Sequence, residues 1–503
     1  MLNFLNVADV GIPVFGDTFH ISLNWIGNFI RWLINGVGIV GVGIILFSLV
    51  LKFVVMPFDI YQRITMRKQN NKIKASQERL DKLKKQYAND KDMYNQKMAE
   101  LYKENGMSVC SSCLPMILSM IIFIVAINAF NAYAQYSNVE NYNTMVNAYN
   151  AKIEYYCADL DNGATYTEVL GTENITDASG NVTGTRNIVT ITVKDSGVND
   201  KFIYYKAVLP ADEWTEKTDE EKAEIFATAN KNYFIDVTKL YADATYGSVV
   251  QTNVEQALTQ AEEDNGEETL TEELKTQITE STIREYFIKE AQLAVKDTYD
   301  TVVLKKTKFL WIKNIWTVDA SYKQPVLTYS EFKSEASQEK FRVDGKKKSF
   351  GSVRDYTNVY EKDTYNIVTG ELGQHKKEAN GYYLLILLSI GTILLQQFVS
   401  MRSQKEQQTY SSVDGQGKSQ QKMMLIIMTA MFAIFSFMYS SAFSIYMITS
   451  NVFSLISTII INKIVDKVEE KKEAAAAQAK YNKRFPGRTY KGESKNNNKK
   501  GKK

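Results

Sequence analysis

Lys52 is the residue whose type and position most need a chemical explanation in this 503-residue chain. It lies inside an apolar run, residues 33–58, five residues before Pro57. A charge in hydrocarbon costs about 2.5–3.5 kcal/mol on insertion scales, so an ionisable residue in such a run is read by default as facing a bundle interior or a wet cavity. The other reading is snorkelling, in which the flexible stem carries the ammonium to the nearer headgroups. Ser48, one helical turn earlier, should share the face of Lys52. Other chemistry-bearing residues are sparse. Two histidines, His20 and His375, and three cysteines exclude a histidine metal cluster and a disulfide framework. Cys110-Ser-Ser-Cys113 has redox or zinc-like spacing but no second pair. It abuts an apolar run on the predicted cytosolic side, where thiols stay reduced, and reads as structural. No Gly-rich loop ends in Gly-Lys-Ser/Thr, so nucleotide hydrolysis has no motif. No cofactor is expected, and the chain does not read as an enzyme.

The elements that must position Lys52 are apolar runs. Besides residues 33–58 there are four more, at 114–133, 382–399, 423–439 and 443–461. About 20 residues rising roughly 1.5 Å each cover the ~30 Å hydrocarbon core, so five spans are expected, the fourth near the short limit. The slightly negative mean hydropathy misleads, because the apolar residues sit at the two ends of the chain.

Charge sets the expected topology. Residues 63–104 hold twelve Lys/Arg against six Asp/Glu, and residues 463–503 hold fourteen against five. Residues 135–380 hold 28 against 41. Short Lys/Arg-rich loops stay in the cytoplasm, while long loops translocate largely regardless of charge. The basic 400–422 loop, with Arg402, Lys405, Lys418 and Lys422, joins the cytoplasmic set. An N-terminus outside and a C-terminus inside satisfy every loop. Residues 1–30 carry no Lys or Arg, so no basic signal-peptide start is expected.

The intervening segments read as follows. Trp25, Ile26, Phe29, Ile30 and Leu33 suit an amphipathic helix on the outer interface, or simply an extension of the first span. Residues 59–105 predict a cytoplasmic helical hairpin. One stripe is Ile73, Leu80, Leu83 and Tyr87; the other is Tyr94, Met98, Leu101 and Tyr102; Asn89-Asp90 offers a cap between them. Its charged faces are a solvated surface, or a docking surface for anionic lipid or a partner. Within 135–380, residues 188–193 and 202–205 read as strands and 216–306 as mostly helical, with a turn at 262–266. Residues 361–380 read as a polar linker. Two glycosylation sequons, at Asn174 and Asn181, mean little in a bacterial chain. The basic tail begins helical and becomes disordered; it fixes topology or binds lipid or RNA phosphate.

The two ends of the chain resemble the YidC/Oxa/Alb family of membrane protein insertases, in its bacterial, Gram-positive-like branch with a large extracellular insertion. Ile44-Ile-Leu-Phe-Ser-Leu-Val-Leu-Lys-Phe-Val-Val-Met-Pro57 looks like the first core span. Leu101-Tyr-Lys-Glu-Asn-Gly106 and Cys113-Leu-Pro115 look like the hairpin entering the second. Phe309-Leu-Trp-Ile-Lys313 and Leu395-Gln-Gln397 look like the approach to, and end of, the third. Gln421-Lys-Met-Met424 and Tyr446-Met-Ile-Thr-Ser-Asn451 look like the last two. These cover roughly 220 residues, and no single motif is decisive. The family's central basic residue is usually Arg; Lys52 keeps the charge and loses the planar fork. The Ser440-Ser-Ala-Phe443 turn lacks the usual Pro/Gly, and Thr429 replaces a common Pro.

The resemblance implies an all-α polytopic membrane protein: a five-helix transmembrane bundle with a cytoplasmic helical hairpin and an inserted α+β extracellular domain. The boundaries are 1–35 (exterior N-terminus and interfacial helix), spans 36–58, 114–134, 381–400, 423–440 and 443–463, hairpin 59–105, insertion 135–380, cytoplasmic loop 401–422 and cytoplasmic tail 464–503. It also implies a hydrophilic groove open to cytosol and lipid, with Lys52, Ser48 and Tyr446 as groove residues. Arg67, Lys68, Lys82, Lys84 and Lys85 would receive substrate on the hairpin. Implied partners are nascent membrane proteins, the ribosome through the basic tail, the Sec translocon and anionic phospholipids. Two other classes stay open: an ion or solute transporter using Lys52, and an exterior binding domain on a membrane anchor. Against the transporter stands the lack of an inverted repeat.

Overall fold

A computed structural model describes residues 9–104, 114–176, 181–197, 200–266, 270–403 and 416–485. Cys110 and Cys113, and most of the tail beyond the last helix, therefore lie outside the described residues. The chain divides into two compact units. The first comprises residues 1–24, 134–308 and 324–379; the second comprises 25–133, 309–323 and 380–503.

In chain order the main elements are strand β1 (Asp9–Ile12), helices α1 (Trp25–Val37), α2 (Val40–Ala75), α3 (Gln77–Gln86), α4 (Lys91–Glu104) and α5 (Leu114–Glu154), and strands β2 (Thr165–Thr176), β3 (Val182–Lys194) and β4 (Ile203–Pro210). Helix α6 (Asp219–Thr228), strand β5 (Lys231–Asp236), and helices α7 (Val237–Ala242), α8 (Gly247–Asn265) and α9 (Glu272–Thr298) follow. A short hairpin pairs β6 (Lys340–Val343) with β7 (Lys346–Ser349). The last three long helices are α10 (Leu384–Ser403), α11 (Gln416–Met438) and α12 (Ser441–Arg484). The chain is thus mostly helical with one sheet-containing unit.

The first unit is built on an antiparallel sheet of order β1-β5-β4-β3-β2. Strands β3 and β4 take in both segments read as strands in the sequence. Alternation explains the buried face: Val189, Ile191 and Val193 point one way from β3 and pack with Ala207 of β4, Trp214 and Phe226 of α6. A Thr218/Glu221 capping box starts α6. Helix α8 runs through residues 262–265, where a turn was expected, and ends only at Gly266, and α9 buries Ile283, Phe287, Ala291 and Val295 at every fourth position. Its continuation brings Asp300 to 2.9 Å from Nε2 of His375, whose Nδ1 lies 3.2 Å from Glu378. Two further features depart from the sequence reading. Strand β1 belongs to this sheet, because Asp-Val-Gly-Ile is too short to display alternation. Residues 361–380 are not a linker: a helix over Lys362–Val368 and the turn after it bury Tyr365, Val368 and Leu372, apolar residues that the surrounding polar composition conceals.

In the second unit, α1 does not extend the next helix. Gly38 takes a left-handed conformation (φ 76°), which favours glycine, and its N–H donates to the Ile34 carbonyl. Helix α1 packs back on α2 so closely that a Cβ at Gly43 would sit 2.7 Å from Ile34. Helix α2 is continuous from the apolar run through Pro57 into the hairpin, and the break comes only at Ser76. The hairpin's two stripes meet as predicted by spacing: Ile73, Leu80 and Leu101 are buried together, flanked by Leu83, Met98 and Tyr102. Asp90 accepts the Met93 N–H at 3.0 Å and so caps α4. Among the described residues, Val40–Tyr61 and Ser441–Arg484 are long and apolar enough to cross a membrane, and Leu384–Val399 and Thr429–Met438 are shorter apolar stretches.

Candidate functional site

Helices of the second unit bury polar side chains beside apolar ones such as Phe47, Ile393 and Phe443, and they expose aliphatic residues. On α12, Ser444, Ser450, Asn451, Ser454 and Thr458 are buried, while Val452, Ile456, Ile459 and Ile460 are exposed. Successive members of each set fall near a 3.6-residue period, so the helix has two opposed faces. A soluble helix buries the opposite face. Exposed Phe53, Val54 and Phe58 on α2, Leu387, Leu395 and Phe398 on α10, and Ile427 and Ile434 on α11 continue the outer apolar surface. In hydrocarbon that arrangement is stable, because lipid solvates the aliphatic face and the polar side chains find partners between helices.

Those partners are resolved. Asn451 Nδ2 donates to Thr392 Oγ1 at 3.3 Å, joining α12 to α10. Thr429 Oγ1 donates to Gln397 Oε1 at 3.1 Å, and the Ser389 and Ser436 hydroxyls lie 3.1 Å apart, joining α10 to α11. Thr429, which stands where the resemblance expected a proline, therefore has a use that proline cannot supply. Aromatic rings tie in the rest: Phe47 of α2 meets Phe130 of α5 at 5.4 Å, and Phe130 meets Tyr446 of α12 at 5.5 Å. Phe53 of α2 also meets Phe453 of α12 at 5.3 Å.

The predicted groove residues occupy this setting as follows. Lys52 is half-buried on α2, one turn beyond fully buried Ser48. The Ser48 hydroxyl donates to the Ile44 carbonyl at 2.7 Å, so its proton is used within its own helix and only its lone pairs remain for a visitor. Tyr446 is buried against Phe130 and Phe443. Its ring contacts set it one helix removed from Ser48's neighbour Phe47, and its hydroxyl meets the Ser450 side chain. On the hairpin, Lys68, Lys82 and Lys85 are exposed and Lys84 is half-buried; the side chain of Arg67 lies outside the described residues.

Sequence reasoning read residues 309–313 as the approach to the third span and gave no role to the rest of the segment 309–323. This segment joins the starts of three helices to the middle of a fourth. Phe309 lies against Gly41 near the start of α2, where any Cβ would enter its ring. Trp316 meets Tyr133 of α5 at 4.9 Å. The Thr317 carbonyl accepts both the N–H and the hydroxyl of Ser441, at 2.8 and 2.7 Å, at the start of α12. Asp319, 1% exposed, accepts the N–H groups of Tyr382, Tyr383 and Leu385 at 2.7, 3.1 and 2.6 Å. It thereby caps α10 from 63 to 66 residues away in sequence. Asn380 locks the same junction, with Oδ1 accepting the Asn314 N–H and Nδ2 donating to the Asn314 and Val318 carbonyls. A lone Asp between Val318 and Ala320, among apolar residues, was the available signal.

Known proteins carry parts of this pattern. The profile of the 60Kd inner membrane protein family matches residues 32–170 and 286–470. The membrane protein insertase YidC of Fusobacterium nucleatum is 33% identical over 103 residues, which is 20% of this chain and 48% of that protein. The membrane protein insertase YidC of Caldanaerobacter subterraneus is 33% identical over 98 residues, 20% of this chain and 46% of its own length. That of Jannaschia sp. is 33% identical over 94 residues, 19% of this chain and 14% of its own. The matches thus span about half the length, or less, of these relatives. No solved structure matches the chain.

Proposed function

The chain belongs to the 60Kd inner membrane protein family, and on that premise we propose that it is a membrane protein insertase. The observation that carries the reading is the half-buried Lys52 one helical turn from fully buried Ser48, among helices that bury further hydroxyl and amide groups and expose aliphatic faces. A polar segment crossing a bilayer loses water from every backbone and side-chain polar group, which is the dominant barrier to insertion. A groove lined by Lys52 and the hydroxyl and amide groups of the spans offers substitutes for that water part-way across. Lys52 attracts acidic residues of the passenger as a compact point charge. The lone pairs of Ser48 accept from it, and Tyr446 shapes the wall. The passenger's apolar helix then leaves along the exposed aliphatic faces. No bond is made or broken, so the chain acts as a chaperone and not as an enzyme.

The finer arrangement is part of the proposal. Five helices form the bundle: the apolar parts of α2, α5, α10, α11 and α12. The hairpin formed by the end of α2, α3 and α4, with Arg67, Lys68, Lys82, Lys84 and Lys85, is cytoplasmic and receives nascent membrane proteins. The basic tail docks the ribosome and anionic phospholipids, and the Sec translocon is a neighbour in the cell membrane. The N-terminus is outside and the C-terminus inside, as the Lys/Arg distribution favours. The test is complementation of insertase-depleted bacteria with wild type, Lys52→Arg, Lys52→Ala and Lys52→Glu, reading insertion of a small membrane protein with an acidic translocated tail. Rescue by wild type and Arg but not by Glu is expected. Failure of well-expressed wild type, with solute uptake in sealed vesicles instead, overturns the reading in favour of transport.

A further inference from the structure

Strand β2 is an edge strand of unusual openness. All twelve of its residues are exposed, and among the described residues β3 is its only neighbour. Its outward edge presents free main-chain donors and acceptors, which natural sheets normally cover, shorten or charge. The two carboxylates on β2 do not guard it. Glu168 lies 3.5 Å from Lys222 and Glu173 lies 2.6 Å from Arg186, so each is neutralised from its own sheet or from α6.

Register shows which side of β2 faces α6. Tyr166 pairs with Val193, Glu168 with Ile191 and Leu170 with Val189. Paired residues share a face, so Tyr166, Glu168 and Leu170 extend the buried face of β3. Yet Leu170 is 67% exposed where Val189 beside it is 0% exposed. The apolar layer therefore runs out one strand before the sheet does. At that margin lies a cavity of about 110 Å³ lined by Leu160, Tyr166, Ile191, Trp214, Lys222 and Phe226, among others. Trp214 is 3% exposed, and its indole N–H has no hydrogen-bond acceptor among the described residues. A buried donor left unpaired is uncommon and needs an explanation. The covering segment, residues 211–224, is acidic: seven exposed carboxylates stand against Lys217 and Lys222.

We propose that the edge of β2 and the cavity beside it form a docking site for an extended, basic polypeptide segment. The segment adds a sixth strand to the sheet and seats one apolar or aromatic side chain against Trp214. Main-chain pairing supplies affinity and the pocket supplies selection, as in other strand-addition sites. Lysines or arginines on the segment meet the carboxylates of 211–224. A second copy of this chain fits poorly. Strand β2 carries no lysine or arginine, so a second β2 laid along this edge would bring nothing to meet the carboxylates of 211–224. The proposal stands apart from the reading of Lys52.

The test uses the full chain in lipid nanodiscs and a fluorescent nine-residue peptide, Lys-Lys-Thr-Val-Phe-Val-Thr-Lys-Lys. Saturable binding is expected. Methylating alternate backbone nitrogens, replacing Phe by Ala, or replacing the lysines by glutamates should each weaken it about tenfold or more. Ala223→Trp, at an exposed position on the cavity wall, should block binding at unchanged melting temperature. Trp214→Phe should remove the fluorescence change of bound peptide. Equal binding of the methylated or acidic peptide overturns the site. So does the absence of binding, or concentration-dependent dimerisation lost in Leu170→Lys, which would assign the edge to a second copy.

Discussion

Replacing Asp319 should loosen the start of α10 specifically. In the folded chain its carboxylate takes three N–H groups, from Tyr382, Tyr383 and Leu385, at 2.6–3.1 Å. Charge-assisted bonds contribute about 1.5–3 kcal/mol each, and a buried donor left unpaired costs about 1–3 kcal/mol. The Tyr383 N–H keeps the main-chain carbonyl of residue 319, 3.1 Å away, so the two remaining losses would total roughly 2–6 kcal/mol if nothing relaxed. Water entering the vacated space recovers part, and ordinary cap deletions cost about 0.5–2 kcal/mol. A net loss of about 3–4 kcal/mol is therefore expected for Asp319→Ala. Asp319→Asn should cost less, because one carbonyl oxygen still accepts, while its NH₂ faces a backbone donor. The assay is amide hydrogen exchange in nanodiscs. At about 1.4 kcal/mol per tenfold, Tyr382 and Leu385 should exchange some 10²–10³ times faster in Asp319→Ala. The α3–α4 hairpin should not change. An increase below about threefold at those two amides, well under 1 kcal/mol, would refute the idea that this carboxylate holds the helix start.

The other predictions are shorter. Ser48→Ala should leave folding within about 0.5 kcal/mol, because the hydroxyl proton is spent on the Ile44 carbonyl, and should lower insertion only severalfold, by loss of the accepting lone pairs, about 0.5–1.5 kcal/mol; thermal melting and the complementation assay check this. Gly41→Ala should destabilise by about 1–3 kcal/mol by driving a methyl into Phe309, with partial relief in a Gly41→Ala/Phe309→Ala pair, read from melting temperatures. Leu80→Ala removes a fully buried side chain and should cost about 2–5 kcal/mol within the hairpin, seen as selective protease cleavage between residues 76 and 104. Burial pushes the Cys157 thiol up to about 12, so its thiolate at pH 8 should be about a thousandfold scarcer than for an ordinary cysteine. In a Cys110→Ser/Cys113→Ser background, alkylation should then wait for unfolding.

Sequence reading reached furthest where a period is long and strong. The hairpin stripes and the apolar stretches of α2, α10 and α12 follow from 3.6-residue repetition alone. It failed where structure depends on partners distant in the chain. Strand β1 is four residues that acquire meaning only beside β5. Segment 309–323 has no period of its own; its order comes from Asp319, Thr317 and Asn380 meeting helix starts more than 60 residues away. The site was legible in part. Lys52 announces itself by charge in an apolar run, whereas the role of Ser48 could not be foreseen, since a hydroxyl can turn into a cavity or back onto its own helix with equal ease.

The two polar systems of the second unit differ in kind, and the difference bears on mechanism. At the end gathered by 309–323 the bonds are multiple and mutually satisfied: Asp319 with three donors, Asn380 with one donor and two acceptors, Ser441 with one carbonyl. Satisfied networks in a low-dielectric setting rigidify what they join. Along the helices the bonds are single and longer, as in Asn451 to Thr392 at 3.3 Å, and the buried hydroxyls of Ser440 and Ser444 have no partner among the described residues. Unsatisfied groups of this sort gain when a polar visitor arrives, by about the 1–3 kcal/mol that each would otherwise forfeit. One end is thus built to stay shut and the seam to accept, so Asn451→Leu should lower insertion of polar passengers while leaving that of purely apolar ones intact. Equal loss of both in the complementation assay would mean that Asn451 serves packing alone.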